Sequence, residues 1–251
     1  MTDKLFIAIA ALSIAALQSV VVLAADTVAV TAETFPRAES DLYFSSIVKD
    51  GGFGKFFHRR EPATIEKQTV IRLNRDTLYS AGVFDLDQGP VTVTLPDAHE
   101  RFMSMQVINE DQYTQDVTYE PGVHVLSKDN VGTRYVLLGV RTLVDPKDPK
   151  DVAAVHALQD AIKVEQPAGS GTFEVPHWDP LSQAKVRKAL LVLADTLPDT
   201  KGMFGRKEDV DPVRRLIGSA SAWGGRCPRD LAISQLRGEV HVLSSNPYQD
   251  E

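Results

Sequence analysis

Apolar and polar residues alternate through the middle of the chain with the period of two that is typical of a β-strand. Val91, Val93 and Leu95 are separated by threonines, so a strand at this place would bury one face and expose the other. Further stretches rich in β-branched and aromatic residues follow, namely "RFMSMQVI", "DVTY", "GVHVL" and "TRYVLLGVRTLV". Pro121-Gly122, between two of them, favours a tight turn of type II. The pattern predicts a meander or sandwich of antiparallel strands from about Val70 to Val144.

The chain before and after these strands has the spacing of helices instead. A first helix is predicted to begin at Ser40, which can cap it, and to end at Gly51, which can adopt a left-handed conformation. Later helices are predicted to begin at Asp-Pro pairs, because aspartate accepts the free amide hydrogens of a first turn and proline has no amide hydrogen there. These pairs are Asp145-Pro146, Asp148-Pro149, Asp179-Pro180 and Asp211-Pro212.

Two apolar stripes at helical spacing accompany these helix starts. They are Val152, Val155, Leu158 and Ile162, followed by Val186, Leu190, Leu193 and Leu197. Because strands come first and helices follow, the sequence predicts the α+β class, with an antiparallel meander or sandwich followed by a helical C-terminal half.

The first 24 residues have the composition of an export signal. A short polar start that contains Lys4 precedes an apolar run from Leu5 to Leu23. We therefore expect cleavage after Ala24, a polar spacer over residues 25–39, and a periplasmic or secreted protein that has no stable membrane insertion after cleavage. The alternative is an uncleaved membrane anchor, because the apolar run is just long enough to span a bilayer.

Composition narrows the classes of protein to consider. The chain has 251 residues, of which 43% are hydrophobic and 24% charged, so it can bury a substantial core. A net charge of -7 argues against nucleic-acid binding, which needs a basic surface. The single cysteine, Cys227, cannot form an internal disulfide, and the six histidines lack the paired spacing of metal ligands. We expect no metal and no cofactor, and the sequence is compatible with a homo-oligomer.

The stretch "VIRLNRDTLYS" sets charged residues inside an apolar, β-prone run. If it is one extended strand from Val70, then Arg72, Asn74 and Asp76 share a face, because side chains alternate along a strand. Such a row could bind a carboxylate or phosphate through the guanidinium, with Arg75 adding charge and Tyr79 moving protons. The alternative is a face that meets water, or a structural ion pair between Arg72 and Asp76.

A second candidate lies in "MQVINEDQY". Gln106 and Glu110 fall on one face of the predicted strand, and Glu110 stands near its end. A carboxylate at a strand end can bind substrate hydroxyls or act as a general base. The alternative is a solvated loop.

Several of these stretches give the chain a resemblance to a known family. The segments "KDGGFGKFFHRREP", "QTVIRLNRDTLYSAGVFDLDQGPVTVTLPD", "RFMSMQVINEDQY", "VGTRYVLLGVRTLVDPKDPKD", "VHALQDAI" and "IGSASAWGG" are similar to the bacterial family of domains of unknown function numbered 1254. The resemblance covers residues 40–225 and implies an exported, β-rich domain that is normally followed by a second β domain, of the family numbered 1214. After "AWGG" this chain continues differently, so residues 226–251 are expected to be a divergent, poorly ordered tail left by truncation or a frame shift.

Two classes of function remain open at this point. The first is a non-catalytic envelope or small-ligand-binding domain, which fits the absence of any catalytic motif in the sequence. The second is an enzyme, a hydrolase or lyase for a small polar or anionic substrate, with Tyr79 or Glu110 moving protons. If the site of the family lies between its two domains, this chain would lack half of it.

Overall fold

The computed structural model describes residues 27–62 and 74–222. These residues form helices α1 (Phe35–Lys49), α2 (Lys128–Val131), α3 (Pro149–Ala161), α4 (Pro180–Ala194) and α5 (Pro212–Ser221). Their strands are β1 (Phe57–His58), β2 (Thr77–Asp85), β3 (Val91–Leu95), β4 (Met103–Asn109), β5 (Thr114–Thr118), β6 (Gly122–Leu126), β7 (Tyr135–Leu143) and β8 (Lys163–Glu165). The predicted α+β class is confirmed, and most of the helices lie in the C-terminal half.

The strands form two antiparallel sheets rather than one simple meander. The larger sheet has the order β1-β2-β7-β4-β5, and the smaller one has the order β6-β3-β8. β7 is central in the larger sheet because its apolar run supplies buried residues to both faces. β3 belongs to a sheet that is covered on one face, as its alternation predicts: Val91, Val93 and Leu95 are buried, and the two threonines between them are partly exposed.

The two sheets pack against each other through one apolar core. Residues from β2, β3, β4, β6 and β7 meet there, among them Phe84, Val93, Met105, Leu126 and Leu138. The opposite face of the larger sheet contacts the end of α1 through Phe44, Val83, Tyr135 and Leu137. A third cluster joins α1 to α4 and α5. The larger sheet is therefore covered on one face by β-structure and on part of the other by helix.

Three of the four predicted Asp-Pro helix starts are confirmed. Asp148, Asp179 and Asp211 each precede a helix, and each side chain accepts a hydrogen bond from a backbone N–H of the first turn. The prediction for Asp145 is wrong, because its carboxylate accepts a hydrogen bond from the N–H of Lys147 in a turn. The helix begins only after Asp148.

The apolar stripes are confirmed except at one position. Val155 is fully buried under α3, and Leu190 is buried under α4. Leu193 is 48% exposed, against expectation, because α4 packs through Leu190 and Ala194 and turns Leu193 outward.

The first helix begins earlier than predicted. α1 starts at Phe35 rather than Ser40, because Phe35 is fully buried and Pro36 is accepted in a first helical turn. The predicted spacer 25–39 is therefore partly packed, and Val30 within it is buried. Gly51 follows the helix with φ of +95°, as predicted for a left-handed stop.

The strand predicted from Val70 begins at Thr77 in the described residues. Asn74 is irregular and Arg75 and Asp76 lie in a bend, so the predicted alternation of Asn74 and Asp76 on a strand face is wrong. The physical reason is the partner strand: Thr77 pairs with Leu143, where β7 ends. Arg72, with residues 63–73, lies outside the described residues.

The predicted signal and the predicted tail also lie outside the described residues. Within the ranges 27–62 and 74–222, no helix combines the length and the apolar character that crossing a membrane requires.

Candidate anion-binding site

A row of side chains crosses the face of the larger sheet that α1 covers only in part. Arg141 on β7 pairs with Tyr79 on β2 and with Ser104 on β4. We call Tyr79, Arg141 and Ser104 the charged row. Because directly opposed residues of antiparallel strands point to the same side, these three side chains share one face. The guanidinium carbon of Arg141 lies 5.6 Å from the ring centroid of Tyr79, within the range of a cation–π contact.

Arg141 forms no ion pair with a described residue, and its Nε is buried without a hydrogen-bond partner. Five other half-buried arginines are paired: Arg37 with Asp111, Arg101 with Asp151, Arg134 with Asp85, Arg187 with Glu39, and Arg214 with Asp199. Arg215 also has a buried Nε without a partner, but its guanidinium donates to the carbonyl of Asp111 at 2.8 Å. A desolvated guanidinium N–H without an acceptor costs free energy, on the order of 1–3 kcal/mol. Arg141 is therefore the candidate residue for an anion that the described residues do not supply.

Tyr119 extends the charged row on the far side. Met105 pairs with Thr118, so the register continues with Tyr119 beside Ser104. Burial raises the pKa of the Tyr119 phenol, and the nearby charge of Arg141 lowers it in part. The ring of Phe102 lies 5.9 Å from that of Tyr119, centroid to centroid. Two tyrosines therefore flank the unpaired guanidinium.

The next row inward is built from small residues and one amide. Gly139 on β7 pairs with Ala81 on β2 and with Gln106 on β4, and we call these three residues the small-residue row. A Cβ built on Gly139 would meet no heavy atom of the described residues within 4 Å, so this part of the structure leaves the space above it open. The amide nitrogen of Gln106 donates to the hydroxyl of Thr114 at 3.2 Å. The face therefore carries an open position directly beside Arg141.

The third row closes this open position at its inner end. Leu137 pairs with Val83 and with Ile108, and we call these residues the apolar row. Phe44 of α1 packs on them, and Ala81 and Ile47 are partly buried against the same cluster. Along β7 this face therefore carries the charge of Arg141, then the open position above Gly139, and then the buried apolar side chains around Leu137.

The predicted site residues fall into two separate places. Tyr79 and Gln106 lie on this face, in the charged row and the small-residue row. Asn74, Arg75 and Asp76 precede β2 at the same end of the sheet, where the carbonyl of Asp76 accepts from the N–H of Val144 at 2.7 Å. The structure thus brings four of the seven predicted residues to one end of the sheet, and Gln106 lies on the same face in the middle of β4.

Glu110 lies at the opposite end of the sheet from Tyr79. Its carboxylate accepts a hydrogen bond from the N–H of Tyr135 at 2.9 Å, whereas Tyr79 pairs with Arg141. The six residue steps from position 135 to position 141 of β7 span roughly 20 Å. The structure therefore does not bring Tyr79 and Glu110 together.

A buried group of carboxylates surrounds Glu110 instead. Glu110 is 4% exposed and Asp41 of α1 is 1% exposed. One oxygen of Asp41 accepts from the indole N–H of Trp178 at 2.7 Å, and the other is buried without a partner. Arg37 lies 3.5 Å from Glu110.

The pKa values of both carboxyl groups are shifted upward. Burial raises the pKa of Asp41 to about 6, and the negative charge of Glu110 adds to the shift. Burial also raises the pKa of Glu110, while the bond from Tyr135 and the charge of Arg37 oppose it. This group links α1 to the end of β4, and its low exposure leaves a substrate no direct access to it.

A serine–histidine contact that the sequence did not predict lies between β1 and β2. His58 Nδ1 lies 2.8 Å from the hydroxyl of Ser80, which also accepts from the amide of Gln159 at 3.2 Å. Ser80 is 1% exposed and Gln159 is fully buried. The histidine contact therefore joins β1 to β2, and the hydrogen bond from Gln159 attaches α3 to the sheet. Among the described residues no group of three or more histidine, cysteine, aspartate or glutamate side chains is arranged to hold a metal ion.

Sequence reasoning missed Arg141, which is the central residue of the face. It lies in "TRYVLLGVRTLV", where the apolar run predicts a buried strand and gives no separate sign that its one internal charge has a function. A lone arginine near the end of an otherwise buried strand was the available signal. Gly139, two positions earlier and on the same face, was the second signal.

Comparisons with known proteins address the family and the fold. Residues 53–130 match the model of the family described as "Protein of unknown function (DUF1254)". The matched range includes Tyr79, Ser104 and Gln106, and Arg141 lies beyond it. No curated protein matches the chain.

A similar solved structure is that of the VPA0106 protein from Vibrio parahaemolyticus. The TM-score is 0.58 at 14% identity, and the match covers 78% of this chain and 66% of that chain. This chain thus spans just under two thirds of the length of that protein. At this identity the likeness shows a shared fold.

Proposed function

We propose that this chain, which belongs to the DUF1254 family through residues 53–130, is an exported domain that binds a small anionic ligand without transforming it. The observation that carries the proposal is the guanidinium of Arg141, which has a buried Nε without an acceptor and no carboxylate partner among the described residues, beside the open position above Gly139. Arginine binds carboxylate and phosphate groups through paired N–H donors, and a partly desolvated guanidinium binds them more strongly than one in water.

The surroundings of Arg141 support binding of an anion in a defined orientation. Tyr79 stacks on the guanidinium and limits its rotation, so less conformational entropy is lost when a ligand binds. Ser104 adds a hydroxyl in the same row, and Gln106 adds an amide in the next one. Arg75 and Asn74 lie at the same end of the sheet, just before β2.

The enzymatic alternative, a hydrolase or lyase for a small anionic substrate, is the weaker proposal. It assigned proton transfer to Tyr79 or Glu110, and these residues lie at opposite ends of the sheet. Of the two, Tyr79 alone lies beside the unpaired arginine. Binding without chemistry needs only the groups that the charged row already provides.

Export to the periplasm or the medium is part of the proposal and rests on the first 24 residues. Their polar start, apolar run and small residues before Ala25 fit a cleaved signal. The expected ligand is then a solute that is present outside the cytoplasm.

The test compares the full chain with two variants that each remove one positive charge. Arg141→Gln removes the proposed anchor, and Lys128→Gln removes an exposed charge that pairs with Asp87. Native mass spectrometry of purified protein is expected to detect a retained small anion in the wild type and in Lys128→Gln, and none in Arg141→Gln. Titration with acetate and with inorganic phosphate gives the second readout. If all three proteins behave alike in both measurements, the proposal is wrong.

A further inference from the structure

The open position above Gly139 has two ends of opposite character. Arg141 and Leu137 are its same-face neighbours along β7, each about 7 Å away, since two residues of a strand rise by that distance. Arg141 carries the unpaired charge, and Leu137 is 3% exposed under Phe44. A molecule lying along β7 over Gly139 would therefore meet a cation at one end and a hydrophobic wall at the other.

The two sides of the open position above Gly139 offer few kinds of chemical group. Ala81 offers a methyl group on one side, and Gln106 offers an amide on the other. The floor itself is backbone, because residue 139 has no side chain. Most of the surface that a ligand would cover is apolar, and its free energy of binding would grow with the apolar area that it buries.

Within the charged row, the small-residue row and the apolar row, the one positive charge is the guanidinium of Arg141. A phosphate carries up to two negative charges and three acceptor oxygens, and sites for it commonly combine several cations or backbone N–H groups. A carboxylate carries one charge and two coplanar oxygens, which match the paired donors of one arginine. The charged row therefore fits a monocarboxylate better than a phosphate.

We infer that the ligand is a short-chain aliphatic monocarboxylic acid, with its carboxylate on Arg141 and its alkyl chain over Gly139 toward Leu137. The inference rests on the proposed function, because it names the ligand class for the same site. It commits to the free acid rather than to the carboxyl end of a peptide. The apolar row, covered by Phe44 and bordered by Ile47, closes the inner end where a longer chain would have to continue.

The test uses sodium acetate, butanoate and hexanoate, together with inorganic phosphate and an N-acetylated tripeptide ending in leucine. Each probe is titrated into the wild type, Arg141→Gln, Gly139→Val and Lys128→Gln by NMR. Valine at position 139 fills the open floor, suits a β-strand and meets no atom within 4 Å at its Cβ, so the fold is expected to be kept. Gly139→Ala fills the open position above residue 139 only in part.

The expected result is a rise in wild-type affinity of about fourfold for each added CH₂ until the floor is filled. Gly139→Val is expected to bind acetate as the wild type does and to lose the gain with chain length, and Gly139→Ala to lose part of it. Lys128→Gln should match the wild type, and Arg141→Gln should bind none of the acids.

Two kinds of failure can be told apart. The inference would be overturned, and the proposed function would stand, if binding needs Arg141 but does not select a short-chain acid. That result would be tighter binding of phosphate, tightest binding of the tripeptide, or an affinity that does not change with chain length. The same affinities in the wild type and in Arg141→Gln would overturn both. Loss of acetate binding in a folded Gly139→Val would contradict the placement of the chain over residue 139.

Discussion

Arg141 and Tyr79 occupy paired positions on adjacent strands, and the guanidinium of one lies against the ring of the other, 5.6 Å from its centroid. The pairing fixes the arginine on the open part of the sheet face while leaving it without a carboxylate among the described residues. A charge held in this way is suited to receive an anion from outside the chain.

Replacement of Tyr79 is expected to weaken anion binding without abolishing it. A cation–π contact at a partly exposed site contributes roughly 0.5–1 kcal/mol, so Tyr79→Leu should raise the Kd for a bound carboxylate about two- to fivefold. Tyr79→Phe keeps the ring and should change the Kd little. Calorimetric or NMR titration measures both. Equal weakening in the two variants would assign the effect to the hydroxyl and not to the stacked ring.

The buried carboxyl of Asp41 should make stability depend on pH. Burial raises its pKa from 3.8 to about 6, so the folded state favours the protonated form. The favourable contribution is present below about pH 4 and is lost as the pH rises through 6. Each pKa unit corresponds to about 1.4 kcal/mol, so ionisation at pH 7 costs on the order of 3 kcal/mol. Asp41→Asn should therefore raise the free energy of unfolding at pH 7 by up to about this amount.

The pH dependence of that difference is the decisive part of the measurement. Urea unfolding at pH 7 and at pH 4.5 should show a large stabilisation by Asp41→Asn at the first pH and a small one at the second. Asp195→Asn, at an exposed position beyond α4, is the matched control and should change little at either pH. A difference for Asp41→Asn that stays constant between the two pH values would show that the carboxyl is not held in its protonated form.

The ion pair between Arg187 and Glu39 should be needed for the packing of α1 on α4. Glu39 is fully buried, and its carboxylate accepts from Arg187 at 2.5 and 3.1 Å and from Gln183 at 2.7 Å. Arg187→Ala would leave a buried charge without its cation, which typically costs about 3–5 kcal/mol. Chemical denaturation measures the loss. Arg187→Ala combined with Glu39→Gln should recover part of it, and an undiminished loss in the double variant would refute this explanation.

Export is tested by the mass of the mature protein. If the signal is cleaved after Ala24, the protein recovered from the periplasm or the medium begins at Ala25, and its intact mass is that of residues 25–251. Recovery of the full mass in the membrane fraction would support the uncleaved anchor instead. Substituting a large charged residue for Ala24 should block processing if the predicted site is used.

Local patterns predicted much of the fold where a short stretch carries its own signal. The threonines between Val91 and Leu95 marked the exposed face of β3, and Asp148, Asp179 and Asp211 marked helix starts through their own hydrogen bonds. These features depend on interactions between residues that are close in the sequence, so a short stretch of sequence is enough to predict them.

Features set by distant pairing could not be predicted in the same way. β2 begins at Thr77 because its partner β7 ends at Leu143, and nothing near Thr77 in the sequence reveals that limit. Tyr79 and Gln106 were named as site residues, but they share a face only because β7 lies between β2 and β4. Arg141 was missed for the same reason, since its importance comes from the strands beside it.

The most direct test of the account is the NMR signal of the Arg141 Nε–H group, which is buried and without an acceptor in the described residues. The signal is assigned by its absence in Arg141→Gln and is followed during titration of the wild type with sodium butanoate. The account predicts a saturable shift of this resonance, with the same Kd as the backbone resonances of Gly139. A resonance that stays in place while butanoate binds elsewhere, or no binding at all, would contradict it.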